Sequence, residues 1–76
     1  MNGDVYMDTL KTIEEIVANH AGPITKFVIK KQLKDMGIQA DEVEEYLKPF
    51  VERVVDAAIY DPNQRKKVIQ EILSAV

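Results

Sequence analysis

The stretch ADEVEEYLKPFVERVVDAAI, residues 40–59, decides the fold. Set out at about 100° per residue, Ala40, Val43, Tyr46, Leu47, Phe50, Val51, Val54, Val55, Ala57 and Ala58 stay within an arc of roughly 180°. That is one helical apolar stripe, and no alternation of period two competes with it. Pro49 interrupts the stretch but falls on its polar side, where a bend convex to solvent is easiest to accommodate. The reading is a long helix kinked at Pro49, with a split at Lys48–Pro49 as the alternative.

Gly37 closes the preceding helix, because glycine takes the left-handed backbone of a helix end at no Cβ penalty. That helix, about residues 23–36, is apolar on two sides. Ile24, Phe27 and Val28 make one patch; Ile29, Leu33 and Met36 make another, rotated by roughly 150°. Such a helix is either the central one of a small bundle or keeps one patch for a second chain. Lys26, Lys30 and Lys34 run between the patches at i, i+4 and i+8, with Lys31 beside them. Further upstream, Val5, Tyr6, Leu10, Ile13, Ile16, Val17 and Ala21 lie within roughly 160° and define a helix over about residues 4–21. Gly22 and Pro23 stop it, and Pro23 then opens the next helix with its φ already set.

Downstream of residue 59, Asp61 suits an N-cap, Pro62 the first helical position, and Gln64 a capping-box partner. Val68, Ile69, Ile72, Leu73 and Val76 supply the stripe of a last helix, about residues 62–75. The fold class is therefore all-α: a single domain over residues 1–76, arranged as a four-helix orthogonal or up-down bundle.

Composition bounds the function. Seventy-six residues carry 10 Lys+Arg against 13 Asp+Glu, a net charge of −3, no cysteine and one histidine. A chain this short removes only about 60% of its surface from water on folding, so its own core is thin. Without cysteine there is no disulfide or thiolate metal cage, and a lone histidine does not make a zinc site. The acidic balance argues against general nucleic-acid or anionic-membrane binding. No apolar run approaches a membrane span or a signal-peptide core, which points to a cytoplasmic protein.

Catalytic chemistry finds few candidates. His20 is the one base of neutral pH, and Thr9, Thr12, Thr25 and Ser74 are the alcohols that could serve as nucleophiles. His20 falls on the apolar side of the first helix in its last turn, where histidine packs partly against the core or favours the negative helix end. Asp41, Glu45, Glu52 and Asp56 share one stripe of the long helix with Lys48. A single helical stripe lacks the enclosure a metal site needs, so it reads as a solvated face. Leu33, Gly37 and Val43 have the spacing of a helix-turn-helix, yet the would-be recognition helix begins with Asp41, Glu42, Glu44 and Glu45, which would meet phosphates. The acidic excess lies wholly in the second half: residues 39–76 hold five basic and eight acidic side chains, residues 1–38 five of each.

The block Ala21-Gly22-Pro23-Ile24-Thr25-Lys26-Phe27-Val28-Ile29-Lys30-Lys31 resembles a small C-terminal helical domain of bacterial and archaeal signalling proteins. There a helix ends in Gly-Pro, followed by an aliphatic, a small and a basic residue, more aliphatics and a basic pair. The likeness runs in helix order from Thr12 to about Leu73, and Gly22-Pro23 carries its specificity. It implies an interaction or assembly module attached to signalling regions, with no catalytic residue. Those regions are not within these residues, which fits a free-standing relative or a segment of a longer chain.

The expectation is a non-catalytic protein-interaction or oligomerisation module in regulation, with a small helix-turn-helix regulator as the alternative. Phe27, Val28, Ile29 and Leu33 are the candidate contacts, with Lys26, Lys30 and Lys34 at the rim and Gly22, Pro23 and Gly37 as structural turns. The partner expected is another protein or a second copy. No cofactor, metal or catalytic residue is expected.

Overall fold

The stripe of residues 40–59 folds as two pieces. Ala40–Tyr46 is a 3₁₀ segment and Leu47–Ala58 an α-helix, so the change falls two residues ahead of Lys48–Pro49. The physical reason is the proline. A continuous α-helix would need the absent Pro49 N–H to bond the Glu45 carbonyl, against which the ring would also clash. A helix that starts at Leu47 instead places Pro49 in its first turn, where backbone donors have no intrahelical partner. The spacing of Ala40, Val43 and Tyr46 by threes satisfies a 3₁₀ turn as well as an α-turn, which hides the difference in the sequence. Gln39 opens the segment with a capping box, its backbone N–H donating to Glu42 Oε1 at 2.7 Å.

This computed structural model describes the backbone of residues 2–76 and the side chains of residues 9–76. Val5 and Tyr6, read above as part of the first stripe, lie outside the described side chains. Among the described residues there are four α-helices and no strand: α1 Asn2–Ala21, α2 Thr25–Met36, α3 Leu47–Ala58 and α4 Pro62–Ala75. A short 3₁₀ turn, Gly22–Ile24, joins α1 to α2. The chain is all-α.

The core gathers around α3. Phe50, Val51, Val54 and Val55 are all fully buried and meet Ile13 and Val17 of α1, Val68 and Ile72 of α4, and Ile29 of α2. Val43 seals the end of this cluster from the 3₁₀ segment. α2 is therefore not the central helix; that place belongs to α3, the helix with two adjacent apolar pairs one turn apart. The radius of gyration is 11.4 Å, which is what size scaling gives for a folded domain of this length. The accessible surface, 5160 Å², exceeds by about a tenth the roughly 4,700 Å² that mass scaling gives.

Helix ends are satisfied by local chemistry. Gly37, at φ 68°, closes α2 with a Schellman pair: Gly37 N–H to the Lys34 carbonyl and Ile38 N–H to that of Leu33, each 3.1 Å. Gly22, at φ 72°, turns the chain out of α1. Asp61 caps α4 by accepting from Asn63 N–H at 3.1 Å. Gln64 does not complete a capping box there; its amide reaches α1 and donates to His20 Nδ1 at 3.0 Å.

Candidate functional site

α2 carries every candidate contact, and its rotation determines which of them meet water. Thr25, Ile29 and Gln32 are buried. The Thr25 hydroxyl donates to the Gly22 carbonyl at 2.8 Å, tying the start of α2 to the Gly-Pro turn. Gln32 accepts from Arg53 Nε at 3.0 Å, which clamps the middle of α2 to α3. Both polar groups were missed in the sequence, since a threonine and a glutamine among lysines read as surface. The signal available was their position, four and three residues on either side of Ile29 on one helical face.

With that stripe turned inward, the first apolar patch turns out. Phe27 is 78% exposed and Ile24 48%, while Val28 is half-buried. The second patch, Ile29, Leu33 and Met36, packs on the core. The structure therefore tells the two patches apart: Ile29 and Leu33 belong to the core side of α2, where Val28 also packs in part, and Phe27 stands on its outer side.

Lys26, Lys30 and Lys34 are all exposed, and none of them is ion-paired to a described residue. Lys31 does pair, with Asp35 one turn on at 3.7 Å. Lys26 and Lys30 also line a groove of about 280 Å³ between α1 and α2, together with Leu10, Glu14, Ile29 and Leu33. Leu10, Ile29 and Leu33 supply its apolar lining, and the charged residues come from both helices.

The other basic cluster is partly committed to the fold. Arg65 Nε donates to the Ile59 carbonyl at 2.6 Å, and Nη2 to that of Asp56 at 3.3 Å. Its guanidinium thus caps the C-terminal end of α3, with the Asp56 carboxylate 3.7 Å away. Lys66 and Lys67 remain exposed.

His20 stands at the end of α1 facing α4, between Gln64 and Glu71, whose Oε1 is 3.6 Å from Nε2. Of the possible nucleophiles, the Thr9 hydroxyl donates to Glu44 at 2.6 Å and that of Thr25 to a backbone carbonyl. The carboxylates read as one stripe do not share a helix type: Asp41 and Glu45 are on the 3₁₀ segment, Glu52 and Asp56 on α3. No group of three or more histidine, cysteine or carboxylate side chains able to hold a metal occurs among the described residues. No helix among them is long and apolar enough to cross a membrane.

Four α-helices joined by glycine and proline corners, with exposed Phe27 beside a lysine row that makes no ion pair to a described residue, define a small all-α domain. A model of the family described as a domain of unknown function (DUF8082) matches residues 8–76, and the chain belongs to that family. The match takes in the Gly22-Pro23 block. No curated protein and no solved structure matches the chain.

Proposed function

We propose that the chain is a non-catalytic protein-interaction module, a single cytoplasmic four-helix bundle that works in regulation or signalling by docking another protein chain on the outer face of α2. The observation that carries this reading is Phe27, a large aromatic 78% exposed on the helix whose other apolar patch is packed. Aromatic anchors of this kind, ringed by charge, are what interface hot spots are made of. Ile24 one turn before it, itself 48% exposed, enlarges the patch. The resemblance of the Gly22-Pro23 block to a domain of signalling proteins supports the regulatory context.

The helix-turn-helix alternative has less in its favour. Leu33, Gly37 and Val43 do flank a tight turn, but the segment that follows exposes Asp41, Glu44 and Glu45 and is not an α-helix. Low-salt titration against random duplex checks it, because phosphate contacts would give a steep salt dependence.

A photo-crosslinking amino acid at Phe27, compared with the same residue at exposed Glu52, tests the interaction reading in the cell of origin. Adducts at 27 and none at 52 are expected. If neither position yields an adduct, and the purified chain sediments as a strict monomer at high concentration, the reading fails.

A further inference from the structure

The groove between α1 and α2 has a shape and a charge pattern that name the chemistry of what fills it. Its volume, about 280 Å³, is just under the range of small-molecule sites. It is nearly twice a cavity that holds one benzene. Two aliphatic side chains fit. On α1 it is lined by Leu10 and Glu14, one turn apart; on α2 by Lys26 and Lys30, one turn apart, with Ile29 and Leu33 between and beyond them.

The rim is asymmetric. The α2 edge carries Lys26 and Lys30, and Lys34 continues that row for another turn, about 12 Å in all. The α1 edge carries Glu14. All three lysines are exposed and none is ion-paired to a described residue, in a protein whose net charge is −3. We propose that this groove docks an acidic amphipathic helix of a partner protein, with two aliphatic side chains one turn apart entering between Leu10 and Leu33 and carboxylates along the Lys26–Lys30–Lys34 edge. The inference rests on the reading of α2 as a docking helix; the groove lies on its α1 side, next to the outer face that carries Phe27, and adds the partner's chemistry to that reading.

A second copy of the chain fits the groove less well. Its exposed carboxylates at 41, 44 and 45 lie on a 3₁₀ segment, whose three-residue turn does not match a lysine row spaced by four, and exposed Glu52 and Asp56 of α3, which do have that spacing, flank Arg53, a like charge to the row. Asp56 is already engaged by Arg65. The large hydrophobics it exposes, Ile24, Phe27, Tyr46, Tyr60 and Val76, include no aliphatic pair beside those carboxylates.

The test uses a fluorescein-labelled helix of about four turns, with leucines at i and i+4 and glutamate on the flanks, and matched peptides carrying glutamine or lysine in place of glutamate. Fluorescence anisotropy against the whole chain should show binding of the glutamate peptide that weakens with salt. The lysine peptide should bind at least about tenfold more weakly. Lys26→Glu with Lys30→Glu should cost about tenfold, and Glu14→Lys should tighten binding, with helical circular dichroism unchanged in each. Equal binding of the glutamate and glutamine peptides, still lost in Phe27→Ser, overturns the acidic partner and leaves α2 as a docking face. No binding of any peptide overturns the groove proposal, whatever the crosslinking at position 27 shows. Stronger binding to vesicles of anionic lipid than to the glutamate peptide, or salt-sensitive self-association abolished by the lysine reversals, overturns it in favour of a membrane surface or a second copy.

Discussion

The chain contains two phenylalanines, and the same substitution at each should have opposite outcomes. Phe50 is fully buried at the centre of α3, so Phe50→Ala removes most of a ring from a packed site and should cost about 3–5 kcal/mol. A domain of this length has a total stability of about 4–11 kcal/mol, which makes that loss close to unfolding at the lower end. Phe27 is 78% exposed. Full burial of such a side chain is worth about 1.5–3 kcal/mol, so the buried fifth contributes about 0.3–0.6. Alanine returns up to about half a kcal/mol of helix propensity at the same position. The two nearly cancel, and Phe27→Ala should stay within about 0.5 kcal/mol of the parent. Urea unfolding followed by far-ultraviolet circular dichroism measures both, since the chain has no tryptophan. A loss of more than about 2 kcal/mol at Phe27, independent of protein concentration, would refute the orientation of α2 described above. The same loss growing with concentration would mean that a second chain covers the ring.

Three further outcomes test the corners. Gly37→Ala should destabilise by about 1 kcal/mol, because an added Cβ meets open space and only the left-handed φ is penalised, offset in part by a stiffer unfolded chain; calorimetry should show a melting temperature lower by about 4–8 °C. Arg65→Met should lose about 1–3 kcal/mol by uncapping the Ile59 and Asp56 carbonyls, and hydrogen exchange should rise in the last turn of α3 first. Pro49→Ala should change stability by less than about 1 kcal/mol, since the proline occupies a first-turn position; a gain approaching 3 kcal/mol in urea titration would mean that it interrupts a continuous helix.

The all-α class was legible because apolar residues recur at helical spacing and three glycine or proline corners interrupt them. Gly22-Pro23, Gly37 and Asp61-Pro62 act through backbone preferences that need no tertiary context, and each takes part in a helix end. What the sequence did not resolve is how each helix is rotated and where helix type changes. Residues spaced by three fit both turn types, so the 3₁₀ segment looked like the start of α3. Gln64 had two partners within reach, and the tertiary one, His20, prevailed over the local cap. For the candidate contacts, Ile29 and Phe27 looked equivalent in an apolar pattern, because nothing in that pattern says which of two stripes meets the core.

What decides it is polar. Thr25, Ile29, Gln32 and Met36 share one face of α2, so burying Ile29 also buries a hydroxyl and an amide, each of which must find a partner. Both do: the Gly22 carbonyl lies at 2.8 Å from the hydroxyl and Arg53 Nε at 3.0 Å from the amide. Burying the opposite face would have removed Phe27 from water, but together with Lys30 and Lys34 beside it, and would have exposed Ile29, Leu33 and Met36. The Thr25–Gly22 bond at the Gly-Pro corner and the Gln32–Arg53 bond both belong to the observed rotation of α2. Phe27 is left outward because α2 buries the face that joins Ile29 and Met36 to two polar groups, each of which has its partner there.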